Sequence, residues 1–529
     1  MSLSQLSQQP GKVESLIHQV PYVAEPLTLY RHLCEGQPHN ILLESAEVQS
    51  KDDLKSLILI DAALRLECNG NQVICQALTD NGAAVLPILA SHCADANISQ
   101  TPQQLILTFD INTTDIDEDS RLKAHSVFDT LRSIVQNITP IRQHPEALFL
   151  GGVFAYDMLA TFEQLPDVAD GNNSCPDFVF YLAETLALID HQQQTTELVG
   201  SVFSGPDVAQ QYFRISQKIE TISQQIATLP TKPFATSAKV EIGQLQTDKD
   251  DASYMADVNL LKEHIICGDI FQVVPSRTFS LPCPNPYKAY QQLKIQNPSP
   301  YMFYLQDKDF CLFGASPESA LKYHQQSNQV EIYPIAGTRR RGFHADGSID
   351  ADLDSRIELE LRQDEKEKAE HLMLVDLARN DLARVCEPGS RYVKDLLQVD
   401  RYSQVMHLVS RVVGQLRSDL DALHAYQACM NMGTLVGAPK VSAAELIRKV
   451  EKQRRGSYGG AVGYINGQGD MDTCIVIRSA FVQNGMAHVQ AGAGVVYDSD
   501  PQSEADETRS KAQAVIRAIV AAHSQEHSA

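Results

Sequence analysis

Tryptophan is absent from all 529 residues of the chain, although average usage would predict several in a sequence of this length. This absence has two explanations. One is chance, and the other is selection on a protein that is made chiefly when tryptophan is scarce. The remaining composition is ordinary for a globular protein, with 43% hydrophobic and 21% charged residues. A chain of this length and composition can bury a large core.

The sequence also lacks paired cysteines and long apolar runs. The eleven cysteines are scattered singly, are odd in number and include no C-x-x-C pair. This pattern predicts reduced thiols rather than a disulfide framework or a zinc site. The first residues lack the apolar core of a signal peptide, and no apolar run approaches the length needed to span a bilayer. We therefore expect a cytoplasmic protein with no membrane partner.

Basic residues are too few to balance the acidic ones: 44 Lys and Arg stand against 66 Asp and Glu, which gives a formal net charge of -22. A surface of this sign repels nucleic acid and anionic membranes, so we expect neither as a partner. An anionic small substrate would need a locally positive site. Arginines, backbone amides or a metal ion could supply it.

Strand-like and helical segments alternate along the whole chain. A stretch rich in Pro, Thr, Ser and charge, at residues 229–253, divides it into an N-terminal region, 1–230, and a second region, 250–529. Many neighbouring strand-like runs mixed with helices predict an α+β fold with large, mostly antiparallel sheets. Residues 353–381 are charge-rich and periodic, which predicts one long helix.

Two Glu-x-x-Glu pairs stand out, Glu367 with Glu370 and Glu504 with Glu507. Residues three apart share one face of a helix, so each pair could direct two carboxylates at one point. An Asp-Pro pair at residues 500–501 marks a helix start before the second pair. If the two faces converged, a hard cation such as Mg²⁺ would relieve their repulsion. Because Glu-x-x-Glu is common, spacing alone favours two solvated helix faces.

Three further features are weak individually. Residues 492–494 form a Gly-x-Gly turn after a strand, but Tyr497 replaces the third glycine of a dinucleotide motif. Such a turn can bring N–H groups to a carboxylate, although an ordinary turn is commoner. Arg478 ends a predicted apolar strand, residues 474–478, where its planar fork could bind a carboxylate or form a structural ion pair. His407 lies in an apolar stretch, where a core residue is commoner than a catalyst.

From about residue 251 to the C-terminus, the chain closely resembles the chorismate-utilising enzymes. The motifs that carry this resemblance are Gly268–Arg277 (GDIFQVVPSR), Ser316–Glu318 (SPE), Pro334–Thr338 (PIAGT), Asp364–Asp376 (DEKEKAEHLMLVD), Arg379–Asp381 (RND), His407–Ser410 (HLVS), Gly437–Lys440 (GAPK), Arg455–Gly460 (RGSYGG), Ile477–Arg478, Ala491–Val496 (AGAGVV) and Asp500–Glu507.

The N-terminal part is similar more loosely, through Leu42–Ser45 (LLES) and Gly151–Asp157 (GGVFAYD). The resemblance therefore covers nearly the whole chain. It implies that the large, mostly antiparallel sheets pack as a two-lobed sandwich with helices outside.

The branches of this family differ in their nucleophile. Members that add water to chorismate carry a lysine base where this chain has Gln272, and the aminodeoxychorismate branch has a lysine in place of Ala336. Water needs a base whereas neutral ammonia does not, and a lysine can attack covalently. The resemblance thus implies direct amination of chorismate next to the carboxyl-bearing ring carbon. Loss of the 4-hydroxyl and of pyruvate would follow.

The sequence has no glutaminase signature, that is, no G-x-C-x-G turn with a downstream His-x-Glu. The resemblance therefore implies a separate glutamine amidotransferase subunit that supplies ammonia. Free ammonium salts should substitute for that subunit.

The resemblance also assigns roles to residues. It implies that Glu370 and Glu507 hold Mg²⁺ directly, with Glu367 and Glu504 nearby or bound through water. His407 would assist departure of the hydroxyl, beside Gln272 and Thr338 as further catalytic residues. The residues expected to bind chorismate are Gly337, Thr338, Tyr458, Arg478, Gly492, Ala493 and Gly494.

The LLES segment and the NPSPYM segment, residues 297–302, match the feedback site at which such enzymes bind L-tryptophan as an inhibitor. The residues implied are Glu44, Ser45, Pro300, Tyr301 and Met302. The alternative is an ordinary strand with a buried serine and a proline-rich loop.

Other functions stay open at this point. An aminodeoxychorismate synthase is disfavoured by Ala336, and an isochorismate- or salicylate-forming enzyme is disfavoured by Gln272. A catalytically silent subunit that binds tryptophan, or a metal-storage or scaffold protein, would lack chorismate chemistry altogether.

Overall fold

The computed structural model describes residues 3–45, 54–110, 117–229, 245–344, 346–402 and 405–523. The helices are α1 (Leu3–Leu6), α2 (Pro26–Cys34), α3 (Asp80–Ala83), α4 (Leu86–His92), α5 (Glu118–Lys123), α6 (Phe128–Asn137), α7 (Leu159–Phe162), α8 (Val208–Ala227), α9 (Asp251–Cys267), α10 (Pro286–Gln296), α11 (Ala351–Gln363), α12 (Glu365–Ala383), α13 (Ala422–Cys429), α14 (Lys440–Glu451) and α15 (Pro501–His523). Short 3₁₀ turns lie at Pro145–Ala147 and Tyr156–Met158.

The strands are β1 (Lys12–Val20), β2 (Asn40–Glu44), β3 (Lys55–Asn69), β4 (Gln72–Ala77), β5 (Asn97–Gln100), β6 (Gln104–Thr108), β7 (Thr139–Pro140), β8 (Phe149–Phe154), β9 (Phe178–Asp190), β10 (Thr195–Phe203), β11 (Gln246–Thr247), β12 (Gln272–Val273), β13 (Ser276–Pro282), β14 (Tyr301–Gln306), β15 (Cys311–Ser316), β16 (Ser319–His324), β17 (Gln329–Ile332), β18 (Ile335–Arg340), β19 (Tyr392–Arg401), β20 (Val405–Gln415), β21 (Gly437–Ala438), β22 (Ala461–Asn466), β23 (Met471–Ile475), β24 (Ser479–Gln483) and β25 (Met486–Gly492).

Two long strands, β3 and β9, pair antiparallel along their length and belong to both of the large sheets. Their register shifts between Leu59 and Leu64, where irregular pairing lets the strands bend. Before this point β3 pairs with β2, and after it with β4. Likewise, β9 pairs with β8 near its start and with β10 near its end. Each long strand therefore passes from one sheet into the other.

The first sheet has the order β7-β1-β10-β9-β3-β2-β14-β15-β24-β25-β13-β11. The second has the order β5-β6-β4-β3-β9-β8-β22-β23-β16-β17-β20, and β20 also pairs with β18 and β19. Among the strands of the described residues, β1 with β7 is the one parallel pair.

Apolar side chains fill three layers. The middle layer joins residues of both sheets, for example Phe303 and Leu312 of the first with Val153 and Val462 of the second. On the outer face of the first sheet lie α2, α8, α10 and α15, and on that of the second lie α6, α13 and α14. Alternating side chains along each strand supply both layers that a sheet contacts. The predicted two-lobed sandwich with helices outside is confirmed.

The two sequence regions are interwoven in this architecture. Strand β2 pairs with β14 and β8 pairs with β22, so residues 1–230 and 250–529 contribute neighbouring strands to both sheets. Much of the predicted joint, residues 230–244, lies outside the described ranges. The division between the two regions stays a prediction about the sequence.

The prediction of one helix over residues 353–381 is wrong, because two helices meet at Asp364. Its side chain accepts hydrogen bonds from the N–H groups of Lys366 and Glu367, at 3.0 and 3.1 Å. This residue has extended backbone angles and caps α12. A periodic charge pattern runs through both helices and hides the break.

The cysteine prediction is confirmed: all eleven are free, ten of them buried and Cys267 exposed. None of the helices in the described ranges combines the length and the apolar character that crossing a bilayer requires.

Candidate active site

The centre of the site is a pair of side chains on adjacent strands. Thr338 of β18 lies opposite His407 of β20, and its Oγ1 is 2.9 Å from the imidazole Nδ1. Burial, and then the charge of Arg478, lower the pKa of His407 to about 4. The imidazole is therefore neutral near pH 7.

Gly337 lets a helix approach this pair. Its φ of +72° is left-handed, and a Cβ added there would stand 3.1 Å from Oε2 of Glu367. A larger residue would be strained by this backbone conformation and would crowd the side chains of Glu367, Leu361 and Leu408. Glycine at this position therefore brings the carboxylate of Glu367 close to the strand that carries Thr338.

Arg478 provides a positive charge beside the pair. It lies in the connection between β23 and β24, with a φ of +48°, rather than at the end of a strand as expected. Among the described residues no carboxylate lies within 4.0 Å of its guanidinium, which donates to the Lys511 carbonyl at 3.4 Å. Burial lowers its pKa, while the nearby Tyr458 and Glu507 raise it. A half-buried arginine without an acidic partner is suited to bind an anion.

Tyr458 lies beside Arg478 and adds a hydroxyl to this candidate anion-binding site. It is buried, and burial raises the pKa of its hydroxyl to about 12, so it stays a hydrogen-bond donor. The Gly492 N–H donates to the same hydroxyl. The Ala493 N–H donates to the Pro275 carbonyl at 3.2 Å and is therefore not available to a ligand. Between Gly492 and Ala493, the Gly492 N–H is thus the one that is hydrogen-bonded to Tyr458.

Gln272 borders the site from the short sheet of β12 and β21. Its side chain is buried, and its Oε1 has no hydrogen-bond partner within the described part of the chain. A Cβ on Gly494 would stand 2.9 Å from Nε2, so glycine there leaves room for the amide. An unpaired buried oxygen can accept a hydrogen bond from a small donor.

The two Glu-x-x-Glu pairs are close enough for their charges to affect one another. Burial raises the pKa of Glu370 to about 7, with Lys366 opposing and Glu367, Glu504 and Glu507 adding to the rise. The carboxylates of α12 and α15 are therefore near enough to repel one another. The shortest contacts of the four are Arg339 Nη1 to Glu367 at 2.7 Å, Lys366 Nζ to Glu370 at 3.8 Å, Lys511 Nζ to Glu507 at 2.7 Å, and a side-chain hydrogen bond from Ser499 to Glu504.

The donor set suits Mg²⁺ in its chemistry. In the portion of the chain that the structure describes, no group of three or more His, Cys, Asp or Glu side chains could hold a metal. Mg²⁺ commonly takes one or two protein carboxylates and keeps water or substrate oxygens as its other ligands. Glu370 and Glu507, on different helices, fit that smaller requirement.

Two residues of the site were not identified as functional from the sequence. Glu318 is 6% exposed and accepts a hydrogen bond from Thr434 Oγ1 at 3.0 Å, and burial raises its pKa to about 8 while Lys511 opposes the rise. Lys511 donates to the Gly492 carbonyl at 3.0 Å. The i, i+4 spacing from Glu507 could have identified Lys511. The burial of Glu318 depends on long-range packing and has no local signal.

A buried arginine ties the surrounding segments together. Arg455, 1% exposed, donates to Glu451 at 2.9 Å and to the carbonyls of Leu435 and Val274 at 2.8 and 2.7 Å. Its guanidinium also lies 5.7 Å from the ring centre of Tyr458. The segments of Val274, Leu435 and Glu451 are therefore joined by one buried, charged side chain.

The predicted feedback residues lie together. A cavity of about 860 Å³ between the sheets is lined by Glu44, Ser45, Pro300, Tyr301 and Met302. The carboxylate of Glu44 is engaged below it, by Tyr290 and Lys294, each at 2.6 Å. The same cavity reaches Ile335 and Tyr402. The Tyr402 ring centre is 5.4 Å from that of His407, so the cavity borders the pair of Thr338 and His407.

Residues 87–517 match the model of the chorismate binding enzyme family. The chain belongs to this family and is an enzyme of the lyase type. It is 60% identical over 514 residues to the anthranilate synthase component 1 of Vibrio cholerae serotype O1, covering 97% of each chain. It is also 56% identical over 518 residues to anthranilate synthase component 1 of Escherichia coli K12, covering 97% of this chain and 98% of that one.

Solved structures show the same architecture. Anthranilate synthase component I from Streptococcus pneumoniae superposes with a TM-score of 0.65 at 26% identity, covering 89% of this chain and 93% of that one. The menaquinone-specific isochorismate synthase of Escherichia coli superposes with a TM-score of 0.66 at 18% identity, covering 98% and 97%. At that identity the second likeness concerns the fold alone.

Proposed function

We propose that the chain is the synthase component of an anthranilate synthase, which converts chorismate and ammonia to anthranilate and pyruvate, the first committed step of tryptophan biosynthesis. The observation that carries this proposal is the acid-free guanidinium of Arg478 beside the neutral pair of Thr338 and His407. Chorismate is a dianion, so a strongly acidic protein must hold it at such a local positive site. The names of the relatives support the same reaction.

Arg478 and Tyr458 would hold the side-chain carboxylate of chorismate. The guanidinium offers two parallel donors, and the tyrosine hydroxyl offers a third. Thr338 and the backbone of Gly337 would lie at the ring carboxylate. Lys511, bound to the Gly492 carbonyl, would add positive charge on the same side.

Glu370 and Glu507 would hold Mg²⁺, with Glu367 and Glu504 nearby. When bound, the ion neutralises the ring carboxylate and the charge that develops as the hydroxyl departs. Burial, and then the charges of Glu367, Glu504 and Glu507, raise the pKa of Glu370, and a bound cation would offset both effects.

Departure of the 4-hydroxyl requires a proton donor. His407 is neutral near pH 7, so it is a hydrogen-bond partner rather than a strong acid. Glu318 has a pKa of about 8 and keeps its proton at that pH. We favour Glu318 as the acid, with His407 orienting Thr338. An exclusive role of His407 as the acid would instead make Glu318→Gln fully active.

Ammonia would attack the ring from the side of Gln272. The unpaired Oε1 can accept a hydrogen bond from ammonia without removing a proton, as direct amination requires. A glutamine amidotransferase, component II, would supply the ammonia. We place both components in the cytoplasm.

The cavity lined by Ser45 and Met302 would bind L-tryptophan as the feedback inhibitor. Ser45→Phe should fill this cavity, so we expect synthase activity to persist and tryptophan inhibition to disappear. A steady-state assay with and without tryptophan measures both. Unchanged inhibition would refute this placement.

The deciding experiment uses the purified chain with chorismate, Mg²⁺ and ammonium sulfate. We expect fluorescent anthranilate and one pyruvate for each chorismate consumed. Aminodeoxychorismate as the product would point to the alternative branch, which Ala336 disfavours. No chorismate consumption would leave only a binding role and refute the proposal.

A further inference from the structure

A buried histidine on α12 is bonded to the sheet beneath it. His371 has no exposed surface, and its Nε2 is 2.7 Å from the hydroxyl of Ser410 on β20. Its Nδ1 has no partner in the described part of the chain. His371 directly follows Glu370, and it is the first buried side chain of the helix, with Leu374 the next. One hydrogen bond therefore docks the end of α12 that carries the glutamates.

The serine is fixed from two further sides. The N–H of Leu397 donates to its hydroxyl at 3.0 Å, and its own N–H donates to the Pro334 carbonyl at 3.1 Å. Leu397 has a φ of +54° at a register shift between β19 and β20. An irregular strand is thus held so that its N–H reaches Ser410. A hydroxyl with such defined partners forms a rigid anchor point.

We propose that the Ser410–His371 hydrogen bond is a positioning element for the metal site: it sets the distance of Glu370 from the sheet and from Glu507 on α15. This inference rests on the proposed function, because it assumes that these glutamates hold Mg²⁺. Groups that orient metal ligands from behind commonly change metal affinity by about 10- to 100-fold when removed.

A second contact holds the same end of α12. Arg339 binds Asp364 and Glu367 at 2.7 Å each from a partly exposed position. Exposed ion pairs hold geometry weakly. Glu367 would also have to turn from Arg339 to approach an ion, whereas the Ser410–His371 bond involves neither Glu367 nor Glu370.

The test measures binding of Mg²⁺ alone to the full-length protein by calorimetry, without substrate. We expect Ser410→Ala to weaken Mg²⁺ binding by about tenfold. His371→Gln, whose amide reaches the same hydroxyl, should stay within about threefold of the wild type. The matched control is Ser201→Ala, which removes another buried hydroxyl, 2.8 Å from the Ala147 carbonyl, and should leave Mg²⁺ affinity unchanged.

The outcomes separate the two proposals. If Ser410→Ala binds Mg²⁺ as tightly as the wild type while the wild type forms anthranilate, the anchor is refuted and the function stands. If the wild type forms no anthranilate, the function fails. A wild type that binds no Mg²⁺ overturns the metal assignment and the anchor together. Should Ser410→Ala fail to fold, Ser410→Cys fills the same space with a weakly bonding thiol and decides the question.

Discussion

At the scale of single residues, burial rather than sequence motif sets the protonation of the candidate site. His407 and Glu318 have pKa values of about 4 and 8, so near pH 7 the imidazole is neutral and the carboxyl group keeps its proton. Both shifts arise chiefly from loss of water around the charged form. The dianionic substrate thus meets a site in which the fixed positive charges of Arg478 and Lys511 matter most.

The raised pKa of Glu318 predicts a pH-dependent stability. The folded state keeps a proton that the unfolded state loses above pH 4.5, so stability falls as pH rises from about 4.5 to 8, by at most about 1.4 kcal/mol per pH unit. Glu318→Gln removes this titrating group. The free energy of unfolding of the variant, relative to that of the wild type, should therefore rise between pH 5.5 and 7.5. Urea titrations at both pH values measure it, and a constant difference would contradict the assignment.

Arg478→Lys tests whether the planar guanidinium binds a substrate carboxylate through two hydrogen bonds, because lysine keeps the charge and cannot form both bonds. We expect kcat/KM for chorismate to fall roughly 100-fold, or about 2.7 kcal/mol of transition-state stabilisation. Arg356→Lys is the control, since that arginine is exposed on α11 and pairs with Asp352. A loss below threefold would show that Arg478 does not bind the substrate.

At the scale of elements, helix signals and helix breaks differ in how well the sequence reveals them. The start of α15 was predictable, because Asp500 accepts from the Ser503 N–H at 2.8 Å and Pro501 opens the helix. The break at Asp364 was not, since acidic and basic residues continue on both sides of it. A cap is visible in sequence where apolar periodicity begins, and hidden where two polar helices adjoin.

The cap at Asp364 gives a prediction for this element. Asp364→Ala should lower the free energy of unfolding by about 1 kcal/mol, because two N–H groups of α12 lose their acceptor. Asp364→Asn keeps an acceptor and should lose only a few tenths. Chemical unfolding of both variants measures the effect, and equal losses would mean that the charge toward Arg339, not the cap, is what stabilises.

At the scale of the whole molecule, the sandwich was predictable in class and not in connectivity. The many strand-like runs mixed with helices predict large antiparallel sheets, and the resemblance to the family implies that they pack as a sandwich. That β2 pairs with β14 and β8 with β22 depends on contacts between residues hundreds of positions apart. The left-handed backbone of Arg478, in the connection between β23 and β24, likewise has no signal in the sequence.

This connectivity predicts that neither sequence region folds alone. Residues 1–230 and 250–529, produced separately, should each expose open sheet edges and half of the middle apolar layer, and should aggregate. Produced together, they should associate and regain activity. Gel filtration and circular dichroism measure both results, and cooperative thermal unfolding of either fragment alone would contradict the prediction.

The two long strands that serve both sheets carry a mechanical consequence. The backbones of β3 and β9 continue unbroken from one sheet to the other. The two sheets therefore cannot separate by a hinge motion without breaking the hydrogen bonds between these strands. Entry of a ligand into the cavity between the sheets must instead depend on small local movements of turns and side chains. Tyr402 lines the cavity and lies next to His407, so a change in the cavity would reach Thr338 and His407 by repacking of this one side chain between sheets that keep their positions.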